Sequence, residues 1–297
     1  MALIILSLTT GAVLIRIVAN PLSNVFQKQL TQRSAEPLFV ISATYGFLGL
    51  ACLVVWPQLR FEGLSIVFWQ SILLAGLLAM VGNVFLVKAL QIGDLSVLGP
   101  INAYKSIVGI LIGIFLLNEV PGWWGLAGIV LIVGGSYLVV NQSDQHTGFS
   151  WALFQRPEIK LRLTALVFSA IDGAFLKKAI LLSTPTIAFF YWCVFGFIFT
   201  LIWILLTMRR QWRHQTKLLV SHKFTFIGLL VAVGVTQMTS NLALAQLPVG
   251  YALALFQLSA LISVLFGYQF FREQDIGRKL TGALIMTTGA ILIALLG

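Results

Sequence analysis

NQSDQHTGFSWALFQRPEIK, residues 141–160, is a polar interval in a chain of 297 residues that is 59% hydrophobic and only 9% charged. An ordinary soluble domain carries roughly 25% charge, so this composition points to an integral membrane protein. The interval divides the apolar runs into two sets. Before it they lie at about 3–27, 37–56, 64–87, 95–117 and 122–140; after it, at about 161–182, 185–207, 223–245, 249–271 and 276–296. Each approaches the ~20 helical residues that a hydrocarbon core of ~30 Å requires. The expected fold is all-α and membrane-embedded, with ten transmembrane helices. Residues 1–140 form a first five-span repeat, 141–160 a linker loop, and 161–297 a second repeat.

The two sets are related. A constant offset of 154 takes Gly113 to Gly267, Glu119 to Glu273, Gly128 to Gly282, Gly135 to Gly289 and Asn83 to Gln237. Near the start of each half an offset of 149 matches Phe26 and Lys28 to Phe175 and Lys177, and places Asp172 where Ser23 stands. Five is odd, so the second repeat enters the membrane from the opposite side. Inverted repeats of this kind enclose a central cavity near the midplane that opens alternately to either face, a transporter design.

The stretch ALQIGDLSVLGPINAYKSIVGILIGIFLLNEVPGWWGLAGIVLIVGGSYL, residues 89–138, has a small-residue entry, a proline in the fourth span, a glycine-rich continuation, a glutamate at the turn and a span with spaced glycines. It resembles the closing part of an EamA domain. Residues 243–296 resemble a weaker second copy, with Glu273 at the turn but no proline matching Pro100. The resemblance covers nearly the whole chain and implies a ten-span member of the drug/metabolite transporter superfamily. It further implies that the first, third, fourth, sixth, eighth and ninth spans surround the cavity.

Polar residues fall on those spans. In IRIVANPLSNVFQK, residues 15–28, Arg16, Asn20, Ser23, Asn24 and Gln27 share one helical arc of about 100°. A charge at the bilayer centre costs at least about 2.5–3.5 kcal/mol, so deep charges mark a cavity or a partner. Three qualify: Arg16, Lys105 and Asp172. Lys105 stands about 15 Å or more from either end of its run, too far for its stem to snorkel out. Pairing of Asp172 with Lys105 or Arg16 is expected, since none of them is stable alone in low dielectric. The amides Asn20, Asn24, Gln27, Asn83, Asn102, Gln237, Asn241 and Gln257 complete the candidate substrate-binding set, though each also reads as interhelical glue. Pro21 and Pro100 are expected to kink their helices. Gly109 with Gly113, Gly128 with Gly135, and Gly282 with Gly289 clear faces for close packing within the monomer.

Enzyme motifs are missing, and His146, His214 and His222 lie in loops or at a span edge. Neither a metal nor another cofactor is expected. Cys52 and Cys193 sit in separate runs and read as core residues. The N-terminal run lacks a basic leader and continues to Phe26, which argues against a cleaved signal peptide. The net charge of +10 belongs to the loops and not to nucleic-acid binding. Odd-numbered loops hold fourteen Lys and Arg against three in even-numbered ones, which places both termini outside; the resemblance implies termini in the cytoplasm, and orientation stays open. Small multidrug members of the superfamily rely on a glutamate in the first span, where this chain has Arg16. With two deep cations against one deep acid, the expected function is a secondary carrier of small polar metabolites, amino acids or organic anions, by alternating access in the inner or plasma membrane. The alternatives are a proton-coupled exporter of drugs or toxic compounds, a sugar-phosphate-type carrier, and a membrane protein without transport. Its partners are a small-molecule substrate and the lipid bilayer, and the protein is a monomer or homodimer.

Overall fold

A computed structural model describes residues 2–55, 63–112, 122–140, 155–247 and 249–296. Most of the linker, with His146, as well as Arg60, Gly113 and Glu119, lies outside them. The described residues fold into helices and no strands: α1 (Ala2–Gln32), α2 (Pro37–Val55), α3 (Ile66–Ile92), α4 (Leu95–Ile101), α5 (Tyr104–Ile112), α6 (Trp123–Val140), α7 (Pro157–Leu181), α8 (Pro185–Thr207), α9 (Trp212–Ser221), α10 (Lys223–Gln246), α11 (Val249–Phe256), α12 (Ser259–Phe271) and α13 (Ile276–Leu296). Starts are set by local chemistry. The Ser65 hydroxyl accepts from the Phe68 N–H at the head of α3, and Thr184 does the same for Ile187 at the head of α8, where Pro185 occupies the first turn.

Among the described residues, seven helical segments are long and apolar enough to cross a membrane: α2, α3, α6, α8, α10, residues 252–271 and α13. The outside of the bundle is correspondingly greasy, with Val54, Leu206 and Phe224 each 80% exposed. This is an integral, multi-pass membrane protein. The other apolar runs are diluted or broken. In α1 the polar stripe interrupts the run, α7 carries Glu158, Lys160, Arg162, Asp172, Lys177 and Lys178, and the fourth run divides at Asn102 and Ala103 into α4 and α5.

Proline does not decide where the helices break. α1 runs unbroken through Pro21. The interruption at Asn102–Ala103 follows Pro100, but an equivalent one at Gln257–Leu258 separates α11 from α12 with no proline near it. The main packings each join a helix before the linker to one after it: α6 with α13, α3 with α7, α1 with α10, α2 with α8, and α4 with α12. Between α6 and α13 the glycines face each other. A Cβ on Gly135 would stand 2.8 Å from the Gly282 carbonyl oxygen, and one on Gly128 would stand 2.7 Å from that of Gly289. Cys52 and Cys193, distant in sequence, are both buried in one core cluster where α2 packs on α8.

Candidate functional site

A cavity of about 80 Å³ lies among α1, α2, α3, α8 and α10. Its α1 wall is Asn20, Ser23, Asn24 and Gln27; opposite stand Tyr45, Asn83, Trp192 and Gln237. The wall is polar because the chain places its amides four or three residues apart, one helical turn. Ser23 turns its hydroxyl back to the Asn20 carbonyl at 2.7 Å. The Asn83 amide donates to the Tyr45 hydroxyl at 2.9 Å, and the Tyr45 ring meets Trp192 edge-on at 4.7 Å. Gln27 keeps its buried Oε1 without a partner, an acceptor available to a ligand donor at the cavity wall.

Beyond this wall the two interrupted helices cross. Asn102, at the break of α4 and α5, donates from Nδ2 to Gln257 Oε1 at 3.2 Å, and Gln257 sits at the break of α11 and α12. Breaking a helix leaves carbonyls without an intrahelical donor, and two arginines supply donors there. The Asn102 N–H bonds Gly99 and Pro100 and leaves the Leu98 carbonyl to Arg162, whose Nε donates to it at 2.9 Å while Nη2 donates to Asn102 Oδ1 at 3.0 Å. Arg16 donates from Nε to Ser240 Oγ at 3.1 Å and from Nη1 to the Phe256 carbonyl at 3.4 Å, with its guanidinium 3.7 Å above the Phe256 ring. Gln257 Nε2 remains buried and without a partner.

Lys105 and Asp172 lie in this same region, each half-buried. Lys105 is close enough to Arg16, Asp172 and Arg162 for their charges to act on it. The ion pair expected for Asp172 is not formed, however. No cation among the described residues comes within salt-bridge distance of it, and its Oδ1 is buried without a hydrogen bond. Arg16 is committed to Ser240 and Phe256, which removes one candidate partner. The Lys105 ammonium also has no hydrogen-bond partner among the described residues. The two side chains therefore stand near enough for their charges to interact but outside salt-bridge distance, beside the meeting of two broken helices. Asn241 differs from the other amides. It is fully buried and bridges helices, donating to the Pro185 carbonyl at 3.0 Å and accepting from Gln237 at 3.1 Å.

A second polar cluster joins α1, the head of α4 and the α12–α13 turn. Lys28, at the foot of the α1 stripe, pairs with Glu273 at 2.8 Å, both side chains about 5% exposed or less. Glu273 also accepts from the Leu95 N–H at Oε1 and from the Ser96 N–H at Oε2, each at 2.8 Å, so a residue of the α12–α13 turn caps α4. Asp94, in the capping position itself, makes no side-chain cap and instead accepts from Lys279 at 3.3 Å. Gly267 leaves the room this needs: a Cβ there would strike the Glu273 carboxylate and lie 2.9 Å from that of Ser96. Burial alone would raise the Glu273 carboxyl, but the Lys28 charge and the hydrogen bonds from Lys28 and Ser96 outweigh it and hold the group below its ordinary 4.5.

Lys28 and Arg162 are two of the fourteen cations counted from the sequence in odd-numbered loops. Both are buried, at 4% and 7% exposure. Lys28 continues the α1 stripe one residue beyond Gln27, a signal that was present; nothing in the sequence marks Arg162.

A family model described as the EamA-like transporter family matches residues 11–141 and again 157–295. Among solved structures, a crystal structure of a protein superposes with a TM-score of 0.59 over 95% of this chain and 96% of that one, at 14% identity. At that identity the likeness speaks to fold. No curated protein matches the chain.

Proposed function

Because the chain belongs to the EamA-like transporter family, we propose that it is a secondary carrier of small polar metabolites, amino acids foremost and organic anions next, working by alternating access. The observation that carries this reading is that Lys105 and Asp172 stand near one another beside the helix breaks without forming a salt bridge, with Asp172 Oδ1 buried and lacking a hydrogen bond. An amino acid presents a carboxylate and an ammonium. Lys105 matches the first, Asp172 matches the second, and the polar wall of Asn20, Asn24, Asn83 and Gln237 supplies neutral donors and acceptors. Arg16 and Arg162 add positive potential while themselves holding the broken backbone, which favours an anionic group on the substrate.

Ten spans arise if α4 with α5 and α11 with α12 each count as one crossing, in two inverted repeats over 1–140 and 161–297 joined by a linker. The packing supports this: exchanging the halves maps α1·α10 onto α7·α3, maps α2·α8 and α6·α13 onto themselves, and maps α4·α12 onto the lighter packing α11·α5. Discontinuous helices meeting at the repeat interface are the usual site-builders of inverted-repeat carriers. The plasma membrane is the proposed location, and a monomer suffices for the site.

The test is efflux from proteoliposomes loaded with a whole-cell extract, read by mass spectrometry. Wild type is expected to lose a defined set of zwitterionic or anionic compounds. Lys105→Ala is expected to slow this at least about tenfold, the equivalent of one charge-assisted hydrogen bond of about 1.5 kcal/mol or more. Full retention of transport in both Lys105→Ala and Asp172→Asn would sink the reading. The unpaired carboxylate also favours a second one, a proton-coupled exporter. Asp172→Asn that abolishes transport driven by a pH gradient but leaves substrate counterflow intact selects it.

A further inference from the structure

Away from the central site, a lateral groove of about 550 Å³ opens among α2, α8, α9 and α10. Its walls are aromatic and aliphatic, with Phe39 and Phe47 from α2, Phe197 from α8, Leu219 from α9 and Phe226 from α10. Phe47 is 54% exposed and Ile227, also on the lining, 52%. The groove's end lies where α8 finishes and α10 begins, under α9 and the short turn of Arg209–Gln211. Here its character changes. Trp212 and Lys223 line it, and Arg209, Arg210, Arg213 and Lys217 sit exposed on the same turn and helix.

None of these five cations has an acidic partner among the described residues. No Asp or Glu occurs between residues 208 and 246. The Glu36 backbone N–H donates to Gln215 Oε1 at 3.0 Å; with Gln215 Nε2 reaching the Ser34 carbonyl at 3.4 Å, this pins α9 to the α1–α2 turn. The overhanging helix is thus anchored to the rest of the fold. A Trp at the mouth of a hydrocarbon-lined groove with Lys and Arg beyond it has the layering of a bilayer interface, apolar, then amphipathic, then cationic.

We propose that this groove holds one anionic glycerophospholipid, an acyl chain lying against Phe39, Phe47, Phe197 and Phe226 and the headgroup phosphate facing Lys223, Lys217 and Arg213. The volume is within the roughly 300–1,000 Å³ of small-molecule sites. Away from its Lys223 end the lining offers a polar metabolite little more than the Ser42 and Thr216 hydroxyls, which separates this site from the central one. Unpaired cations distinguish an anionic headgroup from a zwitterionic one, whose own ammonium cancels the attraction. The occupant is structural or regulatory, and the site stands whatever the carrier transports.

The experiment is native mass spectrometry of the detergent-purified chain, titrated with phosphatidylglycerol and with phosphatidylcholine of the same acyl chains. One phosphatidylglycerol is expected to be retained at about tenfold lower concentration than phosphatidylcholine, and inorganic phosphate alone is expected to leave no adduct. Arg213→Gln/Lys217→Gln/Lys223→Gln should erase the preference and leave phosphatidylcholine retention unchanged, whereas Ala43→Trp, which fills the groove, should reduce both lipids. Equal retention of the two lipids by the wild type overturns the proposal. So does a preference that survives both variants, which would place the bound lipid elsewhere. If the triple variant does not fold, the wild-type comparison and Ala43→Trp decide alone.

Discussion

Glu273→Ala is expected to lower stability by about 3–5 kcal/mol, enough to leave little folded protein after extraction into detergent. The figure is that of breaking a buried ion pair by removing one partner. Lys28 would remain at 4% exposure with its charge uncompensated, and the Leu95 and Ser96 N–H groups would lose their acceptors at the head of α4. Unmet buried donors of this kind cost about 1–3 kcal/mol each. The double variant Lys28→Met/Glu273→Leu separates the two contributions. It removes the stranded charge and should recover part of the loss, but the α4 donors stay uncapped, so recovery short of wild type is expected. Thermal unfolding in detergent measures all three.

The same carboxylate gives a pH dependence of known sign. Its folded-state pKa lies below the ordinary 4.5, so the stabilisation is fully present above that value and is lost as pH falls through the lower, folded one. Glu273→Gln should start from a lower melting temperature and lack this acid-side decline. A parallel decline in wild type and Glu273→Gln would assign it to other groups.

Gly282→Val is the second large effect expected, about 3 kcal/mol or more of destabilisation. A Cβ at residue 282 would lie 2.7 Å from the Gly135 carbonyl oxygen, and the opposing atom is backbone, which cannot rotate away. Overpacking in an ordinary core costs typically about 1–3 kcal/mol when side chains can shift; here α6 and α13 must separate along their length. That separation also loosens the second contact, Gly128 against Gly289, where an added Cβ would stand 2.6–2.7 Å from the opposing carbonyl oxygen. The comparison is Gly134→Ala, one residue from Gly135, with nothing within 4 Å of its Cβ. That change should stay within about 0.5 kcal/mol. Loss of melting temperature in Gly282→Val but not Gly134→Ala locates the effect at the helix contact; equal behaviour would refute it.

These glycines were legible in the sequence because a repeat makes packing periodic: one offset aligned Gly128 with Gly282 and Gly135 with Gly289. The structure adds that they pair crosswise, 135 with 282 and 128 with 289, as antiparallel helices require. The α1 stripe was legible for a similar reason, since the helical period alone puts Asn20, Asn24 and Gln27 on one face. What was hidden depends on contacts between distant segments. Arg162 sits five residues after Pro157, where a cation ordinarily reaches solvent, and only the freed carbonyl of Leu98 explains its burial. The break at Gln257 has no proline to announce it. Cys52 and Cys193 meet because α2 packs on α8, and α9 hides in a basic segment that composition assigns to a loop.

The short helix α4 has a consequence for how the molecule moves. At seven residues it is about 10 Å long, two turns that do not bend. Its first turn is held by Glu273, its last by Arg162 and, through Asn102, by Gln257, all from the second family match. By sequence α4 belongs to the first match; by attachment it belongs to the second. A rigid strut with foreign anchors at both ends ties the α12–α13 turn to the helix break at Asn102, so displacement of that turn is felt at Asn102 without an intervening joint. On the alternating-access reading proposed above, the moving bodies would therefore be mosaics of the two family matches, cut across the boundary between them and not along it.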